Sequence, residues 1–141
     1  MIKFKKFSFF IIIPFLLFSK AESKIEDSLY ATVGNKAVTR SDIINEMKIL
    51  IILNGQAYAE EQQSQLEIAA IQSLIKRNIK RIEIEKYKNL QFNSNELAIE
   101  INNLAKKLNM DLETLKNVFK ANAINFSDIV DQIKTELLWN S

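Results

Sequence analysis

Only two glycines, Gly34 and Gly55, and one proline, Pro14, interrupt a chain of 141 residues. Glycine supplies the left-handed backbone of tight turns and proline ends helices, so a chain this poor in both has few places to reverse. Ile, Leu, Lys, Glu and Asn fill the stretches between, and most of these are good helix formers. The predicted fold class is mainly α.

The first 21 residues stand apart. Lys3, Lys5 and Lys6 precede a 12-residue run, Phe7 to Phe18, that is apolar except for Ser8 and Pro14. Ser19-Lys20-Ala21 then places small residues three and one before a cleavage point. Charge, apolar core and small-residue site in that order describe an export signal. The run is too short for a spanning helix, which needs about 20 apolar residues, so a cleaved signal with no stable anchor afterwards is expected, against an uncleaved N-terminal anchor as the alternative. Four of the 19 Lys and Arg residues and none of the 17 acids lie in this segment, and its removal takes the formal charge from +2 to −2. The basic character of the whole chain therefore belongs to its leader, and a nucleic-acid partner is not expected.

With no cysteine and no histidine, the chain lacks disulfides, thiolate or imidazole metal sites, and the Ser-His and Cys-His dyads. No glycine-rich phosphate loop and no alternating acidic Ca²⁺ loop can be drawn. Glu83 and Glu85 diverge on a helix, while Glu60-Glu61 and Asp128/Asp131 sit at helix starts, where acids favour the dipole. No enzyme chemistry, cofactor or metal is expected.

After a flexible leader over 22–28, Tyr30–Val33 and Lys36–Thr39 read as two strands joined by Gly34-Asn35, a small N-terminal β-hairpin. About five helices should follow. The first starts near Thr39 to Ser41, with Thr39 and Asp42 spaced as a capping box, and runs to about Leu53. The second, long one runs from Glu60 or Glu61 to Lys88. The third follows Ser94, the fourth is capped by Asp111, and Ser127 caps the last. Residues 29–141 read as one domain, and Leu137 to Ser141 stops while the pattern is still apolar. That ending fits either a frayed terminus with Trp139 packed down or a chain cut from a longer protein.

Two apolar surfaces invite a role. On the long helix Ile68, Ile71, Ile75, Ile79 and Ile82, spaced 3, 4, 4 and 3, form a stripe expected to be the core spine, or otherwise a homodimer seam. The first helix is apolar nearly all round. Ile43, Ile44, Met47, Leu50 and Ile51 make one face, and Ile49, Ile52 and Leu53 cover much of the rest. One core does not easily cover both faces, so Met47, Ile49, Leu50, Ile52 and Leu53 are the candidate binding surface, against full burial as the alternative.

The segment from Ala31 to Asp42, ATVGNKAVTRSD, resembles the opening of the SurA family of periplasmic chaperones, in which a V-N-x-x-V-I-T-x-S-D segment leads into the first helix. Asn109 to Leu115 (NMDLETL), Ala123 to Phe126 (AINF) and Gln132 to Leu137 (QIKTEL) are similar to its N-M-S-L-E-x-L, G-I-x-Y and Q-I-R-x-E-L patterns. The resemblance extends over nearly all of 29–141 and matches the family's N-terminal helical domain. Ala123 stands where the pattern has glycine, which puts the turn there in question.

The resemblance implies a periplasmic, ATP-independent chaperone that binds unfolded outer-membrane β-barrel proteins or aromatic-rich peptides. The family's parvulin-type prolyl isomerase domains and its C-terminal helix are absent from these 141 residues, so isomerase activity does not transfer. Two other readings stay open: an N-terminal fragment of a periplasmic prolyl isomerase, itself inactive in isomerisation, and a dimeric helical structural module.

Overall fold

The computed structural model describes residues 28–55, 57–87 and 89–141. The expected export signal over 1–21, and the expected flexible leader apart from Ser28, lie outside the described residues. The described chain is a two-stranded antiparallel hairpin, β1 (Leu29–Val33) and β2 (Lys36–Thr39), followed by five helices. These are α1 (Arg40–Asn54), α2 (Gln63–Ile84), α3 (Ser94–Lys107), α4 (Leu112–Ala121) and α5 (Phe126–Trp139). A single 3₁₀ turn, Glu60–Gln62, leads into α2, the longest of them.

Local chemistry sets the boundaries. Gly34 takes φ 58° at the hairpin turn, and a Cβ there would come within 3.0 Å of Ile82 Cδ1. The turn therefore lies directly on α2, and the Lys36–Glu85 ion pair ties it down beside that contact. A lone hairpin is marginal in water, and α2 supplies what it lacks. The Thr39–Asp42 capping box is formed: Asp42 N–H donates to Thr39 Oγ1 at 3.2 Å, and Thr39 N–H donates to Asp42 Oδ2 at 2.8 Å. Such a cap contributes about 1 kcal/mol.

Four boundaries differ from the sequence expectation, the first being that α2 starts at Gln63, after the 3₁₀ turn, rather than at Glu60 or Glu61. α2 ends at Ile84 rather than Lys88, because the chain tightens into i→i+3 bonds from Lys86 N–H to Glu83 and from Tyr87 N–H to Ile84. The caps of α3 and α5 are asparagines rather than the predicted serines. Asn93 accepts from Asn95 N–H at 2.9 Å, and Asn125 accepts from Ser127 N–H at 3.1 Å. Asp111 caps α4 as expected, accepting from Thr114 N–H at 2.7 Å.

α3 and α4 both end in a left-handed residue closed by paired bonds. Asn109 has φ 54° and Ala123 has φ 57°. Ile124 N–H reaches Phe119 O and Ala123 N–H reaches Lys120 O, both at 3.0 Å. This is the Schellman arrangement, which normally carries glycine at that position. The turn keeps its geometry with alanine, at the cost of crowding between Cβ and the backbone.

Two apolar clusters share α1. Ile49 packs with Ala105, Leu115, Phe119, Ile124 and Ile129 from α3, α4, α5 and the turn between the last two, with Ile52 and Leu53 at its margin. Ile43 packs with Val38 of the hairpin and Ala70 of α2, with Met47, Leu50, Ile71 and Leu74 around them. The residues of both clusters lie within 31–133. Between them Glu46, 2% exposed, accepts hydrogen bonds from Arg77 and Ser73, with Gln132 Nε2 at 3.4 Å.

The isoleucine stripe is not the core spine. Ile68 is 56% exposed and Ile79 52%, while Ile75 is partly buried and Ile82 lies under the hairpin turn. Of the five, Ile71 is the one that packs against a core cluster. The packed face of α2 runs through Ala70, Leu74 and Asn78, spaced by four. At 3.6 residues per turn its centre lies a little over a third of a turn from Ile68 and Ile79. Ala70, fully buried, has a side chain small enough for neighbouring elements to come close.

Candidate functional site

The capping box and β2 fix the direction in which α1 leaves the hairpin, and the two clusters claim most of its circumference. The face left over lines a groove of about 630 Å³. Ile43, Ile44, Met47, Ile51 and Ile52 of α1 line it, together with Tyr30 from β1 and Tyr58 from the segment before α2. Ile44 is 49% exposed, Tyr30 52% and Tyr58 54%. The lining is mostly apolar, and two half-exposed tyrosines offer aromatic faces with polar tips.

Tyr30 occupies a β-bulge. Leu29 pairs with Thr39 and Ala31 with Val38, so two steps on β1 oppose one on β2, and Tyr30 has no cross-strand partner. Bulges turn a side chain away from the regular alternation, and here the turned side chain is part of the groove. Arg40, Lys48 and Glu67 also line it, and Lys48 Nζ donates to Asn122 O at the end of α4, 3.2 Å away. A cation on a terminal helix carbonyl also suits the α4 dipole.

The five candidate residues part company. Met47 and Ile52 line the groove, each also touching a core cluster. Ile49 is 3% exposed at the centre of the first cluster and is no part of a binding surface, a correction to the sequence expectation. Leu50 packs into the second cluster. Leu53 faces a different groove of about 590 Å³ between α3 and α5, where Glu100, Lys107 and Glu136 make the lining more polar. Ile44 and Ile51 were assignable to one face of α1 from spacing, but Tyr30 and Tyr58 were not. They reach the groove through a bulge and a loop, which no helical period records.

Among the described residues no three or more acidic, Cys or His side chains converge as a metal site would require. Among the same residues no helix is long and apolar enough to cross a membrane. Comparison of the chain with protein families, characterised proteins and solved structures finds no match.

Proposed function

We propose that this chain is an exported, periplasmic holdase module, similar to the N-terminal domain of the SurA-type chaperones. It binds extended, aromatic-rich segments of unfolded outer-membrane β-barrel proteins and keeps them apart until they insert. The observation that carries this reading is the groove on α1, open, apolar and bordered by Tyr30 and Tyr58. An unfolded barrel strand alternates apolar and polar side chains. A shallow lining of Ile and Met tolerates many such sequences, because none of its contacts depends on one fixed hydrogen-bond geometry. Weak contacts of this kind let the client leave by competition from its own folding, with no nucleotide. The reading assigns no catalytic step to the chain.

Light scattering tests it. An unfolded outer-membrane β-barrel protein is diluted from denaturant with and without residues 22–141, which retain both core clusters whole. Suppressed aggregation near equimolar ratio, lost on Ile44→Lys, is the expected result. Unchanged aggregation with a folded sample rejects the reading.

A further inference from the structure

The face that α1 gives the groove carries charge at two levels. Ile44 lies four residues from Arg40 on one side and four from Lys48 on the other, and all three line the groove. Residues four apart share a helix face, so the stripe runs cation, apolar, cation. The two charged residues are about 12 Å apart along the axis, with the half-exposed Ile44 midway. Among the described residues neither cation has an ion-pair partner. Arg40 is exposed, and Lys48 spends one of its three N–H groups on Asn122 O. Glu67, on the α2 wall, is the one acid among the described residues of the lining. Two cations against one acid leave the rim positive over an apolar floor.

An extended chain matches that spacing. It rises about 3.3 Å per residue and sends every second side chain to the same side. Residues i and i+4 are then about 13 Å apart, level with Arg40 and Lys48, and residue i+2 falls over Ile44. Met47, Tyr30 and Tyr58 share the lining, and a thioether and two rings favour an aromatic side chain there. Resting on the holdase reading of this groove, we propose that its preferred clients are extended segments in the pattern acid-x-aromatic-x-acid. Arg40 takes one carboxylate, Lys48 the other, and the ring lies on Ile44 and Met47. In a barrel protein this pattern falls on lumen-facing positions and on strand ends at the aromatic girdle, since the lipid face of a strand is apolar. Exposed ion pairs are worth at most about fivefold in affinity each. The preference is therefore graded, and the client still leaves readily.

Fluorescence anisotropy of short labelled peptides with residues 22–141 tests the preference. The peptides are alike except at the two outer positions of the pattern around a central phenylalanine, which carry Asp, Asn or Lys. Affinity should fall in the order Asp, Asn, Lys at low salt. The three should converge at about 1 M salt, where the Debye length is about 3 Å. Arg40→Gln and Lys48→Gln should each cost the Asp peptide about three- to fivefold and the Asn peptide nothing. Glu67→Gln should tighten binding of the Asp peptide. Equal binding of the three peptides, or an order led by Lys, overturns the preference while leaving the groove a client site. So does an Asp peptide indifferent to both cation substitutions, since its acids would then be bound elsewhere. A chain that suppresses client aggregation yet binds none of the peptides overturns it too. Failure of the holdase reading has a different signature, unchanged client aggregation in light scattering.

Discussion

Arg77 lays both terminal guanidinium nitrogens on the carboxylate of Glu46, Nη1 at 2.9 Å from Oε2 and Nη2 at 2.6 Å from Oε1. The contact crosses from α2 to α1 at the level where the two apolar clusters meet, and Ser73 Oγ donates to the same carboxylate at 2.6 Å. The Glu46 side chain is 3% exposed and that of Arg77 13%. Removing one member leaves the other charged and dry. Arg77→Ala should therefore cost about 3–5 kcal/mol in urea unfolding. Replacing both residues together by apolar ones of similar volume should cost far less than the sum of the single changes.

Ala123 sits at φ 57°, where an L side chain crowds its own backbone. Ala123→Gly removes that crowding and should stabilise the domain by about 1 kcal/mol, after the added freedom of the unfolded chain is subtracted. In thermal unfolding this is a rise of several degrees for a domain of this size. A fall in Tm would show that the turn owes more to the alanine methyl than to its φ.

Groove and core should separate cleanly. Ile44→Lys changes a half-exposed side chain and should leave stability within about 0.5 kcal/mol while weakening suppression of client aggregation. Ile49→Ala, five residues on, removes buried volume from the first cluster and should cost about 2–4 kcal/mol. Equal loss of stability from both changes, read by denaturant titration, would count against the assignment of these two faces.

Acid should loosen the start of α4. Thr114 N–H holds the Asp111 carboxylate below its usual range, chiefly by its hydrogen bond to the ionised form. A depressed carboxylate adds stability above its unfolded pKa, and that stability is lost as pH falls through the lower folded value. Asp111→Asn keeps a competent cap without the charge, so its Tm should fall less than the wild-type Tm between neutral pH and about pH 2. Parallel curves for the two proteins would remove Asp111 from the acid response.

Much of this architecture is written locally. The scarcity of glycine and proline, the Gly34-Asn35 turn, the Thr39–Asp42 pair and Asp111 each act within four residues, so the hairpin and the order of helices could be read from them. The burial of α2 could not. Five isoleucines on one stripe outweigh Ala70, Leu74 and Asn78 on any hydrophobicity scale. The fold nevertheless buries the second set, because Ala70 allows close approach and because Glu46 fixes Arg77 on that side. The groove was half legible: Ile44 and Ile51 follow from helical spacing, while Tyr30 depends on a bulge and Tyr58 on a loop.

Because α1 supplies Ile43 to one cluster and Ile49 to the other, the molecule is jointed at α1, with the polar contacts of α2 to α5, Lys80–Glu136 and Arg81–Thr135, as a second bridge. Neither half can open without freeing the same helix, so unfolding should pass through α1 and be all-or-none despite the divided interior. A segment lying along Ile44, Met47 and Ile51 would splint that joint. Occupancy of one groove should then slow hydrogen exchange in the hairpin and in α4 alike, two regions with no other route between them as direct as α1.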